Sequence, residues 1–149
     1  MSAQLPPTSP SATALHKACA DLGTILFTLS LLDPARGVVW RNYTSHPAEY
    51  PLHGTKPLDH DAWYESCVVG QKPFVANTPA EFETHFFDHA LITSMGLGSA
   101  MNIPLADAHG EVRITVNLLA ESGHFTKDRQ AAYLDLAQTH RAGLLSELA

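Results

Sequence analysis

Apolar positions recur at two different periods along this chain, and the switches between them predict its elements. Leu15, Ala18, Cys19 and Leu22 fall at i, i+3, i+4 and i+7, one face of a helix. That helix opens at Ser9-Pro10 or Ser11 and is stopped by Gly23, as capping preferences require. The period then drops to two. Ile25 to Leu32 is apolar on one parity (Ile25, Phe27, Leu29, Leu31) and mixed on the other, as in a central strand. Asp33 to Gly37 is turn chemistry, and Val38 to about Ser45 is rich in strand formers, so the pair reads as a hairpin.

From His46 to Asp59 three prolines and a glycine exclude a helix or a long strand, which leaves a long structured loop. A short helix is expected from His60 to Val69, capped by Asp59 and stopped by Gly70, followed by a strand from Pro73 to Ala76. Thr78-Pro79-Ala80-Glu81 has the form of a capping box. It predicts one helix over 79–95 with Phe82, Phe86, His89 and Thr93 on one face, fading at Gly96 and Gly98. Strands at Ser99–Leu105 and Val112–Leu119 flank a tight turn at Asp107 to Gly110. Thr126 then caps a long final helix with Ala131, Leu134, Ala137, Arg141, Leu144 and Leu148 near one face. The order α-β-β-(loop)-α-β-α-β-β-α predicts an α/β (α+β) domain, a closed meander of antiparallel hairpins with helices on both faces.

Composition narrows the classes. A chain of 149 residues, 45% hydrophobic and 16% charged, is that of one globular domain. A domain of that size buries roughly 68–70% of its unfolded surface and needs no covalent staple. Residues 1–10 read as a short disordered lead and 11–149 as a single domain. Net charge is −6 and Lys and Arg are scattered, so nucleic acid is not an expected partner. No apolar run is long enough to span a membrane, and the first ten residues lack the features of a secretory signal. Cys19 and Cys67 form no paired motif and lie among apolar residues; with these features a cytoplasmic setting is the default expectation.

The opening hairpin, the Gly70 to Phe74 run and the D-x-x-L-I-x-S-x-G-x-x-S run from Asp88 to Ser99 form an ordered set with Ile103-Pro104-Leu105. G-E-V-x-x-x-V-N-L-L from Gly110 to Leu119 and F-T-x-D from Phe125 to Asp128 complete it. On these pieces the stretch from about Leu26 to Leu136 resembles a GAF domain. It is most similar to small stand-alone bacterial GAF proteins with Ser45-His46-Pro47, Tyr50-Pro51 and Gly54-Thr55-Lys56 in the long loop. The resemblance implies a small ligand held against one face of the sheet under a pocket-covering loop, and pairing through the terminal helices into a homodimer. The signature of the cyclic-nucleotide members has no counterpart after Phe82, and Cys67 lacks the setting of a bilin attachment. Free methionine sulfoxide reductases of this fold use several reactive cysteines, whereas this chain has two scattered thiols.

The polar candidates for the pocket are His46, Tyr50, Lys56, Trp63, His89, Ser99, Asn102 and Asn117. His46 and Tyr50 either face a ligand or staple the loop. Lys56 is either a carboxylate anchor or a solvated lysine, and Trp63 is either core or platform. Asn102 and Asn117 sit inside strands, where asparagine is disfavoured; they either serve one ligand or bond to each other. Ser94 and Ser99 flank a glycine-bearing turn suited to an anion. His85 and His89, at i and i+4, have a metal-sharing spacing but lack an evident third ligand. His16, His60, His109, His124 and His140 read as surface residues. The primary expectation is a binding module for a small polar or aromatic metabolite, with its ligand and any cofactor unidentified. The alternative is an enzyme in which His46, His89 and Lys56 act as acid and base, or in which His85, His89 and a loop histidine hold a metal.

Overall fold

The computed structural model describes residues 9–52 and 54–148. Of the expected disordered lead, residues 1–8 lie outside the described residues; Ser9 and Pro10 begin a helix. Helix α1 spans Pro10–Asp21, with Ser9 accepting from the Ala12 N–H at 3.1 Å. Strand β1 (Leu26–Asp33) turns through Gly37 into β2 (Val38–Thr44), and a two-residue β3 (Lys56–Pro57) follows within the long loop. A π-helical segment, Tyr64–Val69, leads to β4 (Phe74–Ala76), then α2 (Pro79–Glu83) and α3 (His89–Ser94). Strands β5 (Ser99–Ala106) and β6 (Val112–Ala120) form a hairpin before α4 (Lys127–Ser146).

The six strands make one antiparallel sheet in the order β3-β2-β1-β6-β5-β4. The sheet is open, with β3 and β4 as its edges, and not closed as the meander reading expects. Helices lie on both faces. The apolar face of α1 (Ala12, Leu15, Cys19) and that of α4 (Tyr133, Ala137, Leu144) pack with Phe27, Leu29, Leu31, Met101, Ile103, Val116 and Leu118 in the main core. Leu22, expected on the same face of α1, stays exposed. Ala131, expected on the buried face of α4, is exposed, and Tyr133 takes the buried position.

Three local expectations change. The short helix is capped by Asp61, whose Oδ1 accepts from the Tyr64 N–H at 2.9 Å, and not by Asp59. The helix expected over 79–95 is broken at 84–88 into α2 and α3. Phe82 and Phe86 still stack at 5.7 Å, but Asp88 turns to the loop and its backbone leaves the helix before α3 begins. The Thr78 hydroxyl caps no backbone N–H; it donates to Glu81 Oε1 at 3.1 Å, which also accepts from the Asn77 N–H.

His124 is buried and not a surface residue. Its Nε2 lies 2.7 Å from the Tyr133 hydroxyl, which also accepts from the Thr24 hydroxyl at 2.8 Å. His16 is half-buried, stacked on Phe27 and bonded to the Tyr43 hydroxyl at 2.7 Å. Burial holds both imidazoles below the ordinary histidine range.

Candidate functional site

Side chains on a strand alternate between faces, so the residues not used against α1 and α4 point to the opposite side. On β1 these are Leu26, Thr28 and Ser30; on β6 Thr115, Asn117 and Leu119; on β5 Asn102. They floor a cavity of about 550 Å³. This face is apolar at both ends and polar in the middle. Leu26 and Leu119 join Phe82, Ile92 and Leu97 in one apolar cluster, and Leu58, Val68 and Val112 form another with Val39 and Trp63. The walls come from the long loop (Tyr50, Lys56, Leu58) and from the broken helix (Phe86, Phe87, Asp88, His89, Ile92).

The loop is tied down at several points. β3 pairs with β2 through Lys56 opposite Val39, and the Leu58 N–H reaches the Gly37 carbonyl at 2.9 Å. Arg41 Nη1 donates to the Pro51 carbonyl at 3.0 Å, and its guanidinium lies 4.8 Å from the centre of the Tyr50 ring. The Tyr50 hydroxyl donates to Asp88 at 2.5 Å. Burial, then this bond to Asp88, raises the Tyr50 phenol above its ordinary range. At the rim Lys56 Nζ lies 4.9 Å from the Phe87 ring centre, and Phe87 is 86% exposed.

The middle of the floor is a hydrogen-bonded series. The Trp63 indole N–H donates to Asn102 Oδ1 at 2.9 Å, and Asn102 Nδ2 donates to Asn117 Oδ1 at 3.0 Å. Asn117 Nδ2 donates to Thr28 Oγ1 at 3.1 Å and to Ser30 Oγ at 3.0 Å. Strand register makes this possible, since Asn102 sits opposite Asn117 and Asn117 opposite Thr28. The two amides bond to each other and also line the cavity. With two donors and two acceptors per amide, this series leaves one N–H and one lone pair of Asn102, one lone pair of Asn117 and the hydroxyl hydrogens of Thr28 and Ser30 for other partners.

Of the eight residues singled out from the sequence, six (Tyr50, Lys56, Trp63, His89, Asn102 and Asn117) line this cavity. His46 and Ser99 are not among its lining residues. The His46 ring bonds to Ser45 Oγ at 2.6 Å, and that oxygen accepts from the Phe27 N–H, so His46 secures the base of the loop. Ser99 is fully buried and donates to the Glu121 carbonyl at 2.6 Å. Ser94 donates to the Leu91 carbonyl of its own helix. The acid-base trio of His46, His89 and Lys56 is therefore not assembled around one point. His85 and His89 both line the wall, but among the described residues no three His, Cys, Asp or Glu are grouped to hold a metal ion. His53, one of the loop histidines, lies outside the described residues.

Sequence reasoning missed Thr28, Ser30, Arg41, Asp88 and Thr115. The polar parity of β1 was visible and pointed to Thr28 and Ser30. Arg41 was hidden by a β-bulge: Leu29 pairs with Tyr43 but Ser30 with Arg41, which leaves Asn42 as the extra residue. Arg41 and Tyr43, two apart in sequence, thus face opposite sides of the sheet, Arg41 to the cavity and Tyr43 to His16 and Phe27.

The two thiols stand apart from this chemistry. Cys19 lies on the buried face of α1 and Cys67 in the π-helical segment, both buried and free, and burial pushes each thiol pKa up to about 12. Such thiols stay protonated at neutral pH, and a protonated thiol is a poor nucleophile.

No family model and no curated protein sequence matches the chain. Solved structures do. The chain is similar to the GAF domain of a two-component sensor histidine kinase from Bacillus halodurans at 11% identity, over 90% of this chain and 92% of that one, with a TM-score of 0.66. The GAF domain/HD domain protein from Geobacter sulfurreducens aligns at 12% identity, over 91% and 95%, with a TM-score of 0.65. A type II free methionine-R-sulfoxide reductase from Thermoplasma acidophilum aligns at 11% identity, over 93% and 94%, with a TM-score of 0.64. The fold is that of a GAF domain. Among the described residues no helix is long and apolar enough to cross a membrane.

Proposed function

We propose that this GAF-fold chain is a binding module that holds a small, partly polar organic molecule in the cavity between the sheet, the 46–59 loop and the α2–α3 segment. One observation carries the reading: the series from Trp63 through Asn102 and Asn117 to Thr28 and Ser30 lies on the floor of a 550 Å³ cavity. A fold that needed only a core would fill these central positions with apolar residues, as it does on the other face of the same strands. The volume lies within the range of small-molecule pockets, and apolar ends with a few convergent polar groups are their usual composition.

The reductase named among the neighbours does not supply this chain's activity, because neither Cys19 nor Cys67 lines the cavity and both are held as thiols. Binding without turnover is the reading these side chains support. Native mass spectrometry of the purified protein tests it, followed by a thermal-shift screen of small metabolites. A retained organic mass, or a hit whose effect is lost in Asn117→Leu while the variant stays folded, supports the reading. A folded protein that takes up no member of a broad panel of polar and aromatic metabolites overturns it.

A further inference from the structure

We infer that the cavity contains an oxyanion subsite, formed by Arg41, Ser30 and Thr115, that takes the carboxylate or a similar planar anionic group of the bound molecule. The inference rests on the proposed binding function and names the chemical class of one end of its ligand.

The three residues form a row across the sheet, because β1 pairs Ser30 with Arg41 on one side and with Thr115 on the other. Neighbouring strands are about 4.8 Å apart, so the row spans roughly 10 Å of floor, enough to receive an anionic group and the carbon next to it. All three side chains line the cavity. Each has hydrogen-bond donors to give. Arg41 spends one N–H on the Pro51 carbonyl and lies over the Tyr50 ring, which leaves its other N–H groups to donate. Ser30 Oγ accepts from Asn117, so its own hydrogen is free to point elsewhere. Thr115 is only 1% exposed and lines the cavity, and among the described residues its side chain makes no hydrogen bond.

A half-buried guanidinium with N–H groups to spare, in a row with two hydroxyl-bearing side chains on the cavity floor, suits an anionic acceptor. Asp88, the acid whose charge reaches Arg41, is already engaged as acceptor of the Tyr50 hydroxyl. The β-bulge at Asn42 keeps Arg41 on this face, and bulges recur where a strand re-aims a functional side chain. The cation–π contact with Tyr50 and the bond to Pro51 hold the guanidinium in place in advance of binding, which favours recognition of a planar anion.

The test uses two probes of one shape, 3-phenylpropionate and its uncharged amide, 3-phenylpropanamide. Binding is followed by amide chemical shifts at Asn102, Asn117 and Leu119 in the wild type, Arg41→Gln, Arg41→Lys and Thr115→Val. The expected result is that the wild type prefers the carboxylate by about tenfold or more, as a charge-assisted pair implies. Arg41→Gln then loses that preference while still binding the amide, Arg41→Lys recovers part of it, and Thr115→Val weakens the carboxylate severalfold without weakening the amide. Equal binding of both probes to the wild type, or an unchanged preference in Arg41→Gln, overturns the subsite and leaves the binding module standing. If neither probe moves those resonances, the subsite falls, and the metabolite panel decides separately whether the pocket reading falls with it. Thr115→Val keeps the test valid if Arg41→Gln does not fold, because it removes a hydroxyl that makes no hydrogen bond among the described residues.

Discussion

The two faces of the central sheet are made from the same strands and have opposite chemistry. On β1, β5 and β6 the residues toward α1 and α4 are Phe27, Leu29, Leu31, Met101, Ile103, Ile114, Val116 and Leu118, all buried and apolar. The residues between them toward the cavity include Thr28, Ser30, Asn102, Thr115 and Asn117. Period two lets each strand serve both ends, with stability carried on one face and recognition on the other. A substitution is therefore expected to cost fold or ligand according to the parity of its position.

The comparison breaks most visibly at Phe27, fully buried against His16 and Tyr43. Phe27→Ala is expected to lose about 3–5 kcal/mol in urea unfolding. On the same side, Tyr133→Phe strands the Thr24 hydroxyl and His124 Nε2, at a cost of about 1–3 kcal/mol by the same measurement. Thr126→Ala removes the cap of α4, where Thr126 accepts from the Arg129 N–H, and is expected to cost about 1 kcal/mol. On the cavity side, Thr115→Val should change stability by less than about 0.5 kcal/mol, since among the described residues the Thr115 side chain makes no hydrogen bond and faces the cavity. A loss there as large as that of Tyr133→Phe would show that the two faces do not divide the labour.

Acid sharpens the contrast further. His124 and His16 have folded pKa values below the unfolded value near 6.5. Below that pH the unfolded chain binds more protons than the folded one, so the stability these neutral imidazoles contribute is fully present above pH 6.5. It is lost as the pH falls through their folded values. Urea midpoints should be level between pH 7 and 8 and decline below 6.5, and His124→Gln should flatten that decline. A decline that the variant leaves untouched would assign the acid sensitivity to other groups.

What was legible in the sequence followed from local chemistry. Ser9, Gly23 and Thr126 bound their helices where capping preferences place them, and the Asp33–Gly37 turn joins the expected hairpin. Asn102 and Asn117 stood out because a strand rarely carries an amide without a reason. The illegible parts depended on contacts distant in sequence. The break at 84–88 reflects Tyr50 reaching Asp88 from the loop, which no helical periodicity near Phe86 reveals. Counting by twos along β2 puts Arg41 and Tyr43 on one face, and only the pairing with β1 shows the extra residue that separates them. His124 read as a surface residue because its partner Tyr133 is buried on α4 and bonded to Thr24, a residue 109 positions from Tyr133 that no local pattern ties to it.

An asparagine amide on its own is nearly symmetric in shape, so it can present either its oxygen or its nitrogen to a neighbour at little cost. Two in contact still leave two equivalent settings. Trp63 removes the degeneracy, because an indole N–H donates and never accepts. Its single proton sets Asn102, Asn102 sets Asn117, and Asn117 makes Thr28 and Ser30 acceptors toward the floor and donors toward the cavity. The polarity sensed by a guest beside Arg41 is thus decided three strands away, by an aromatic residue that need not touch that end of it. Trp63→Phe would leave the floor's side chains in place and erase their direction.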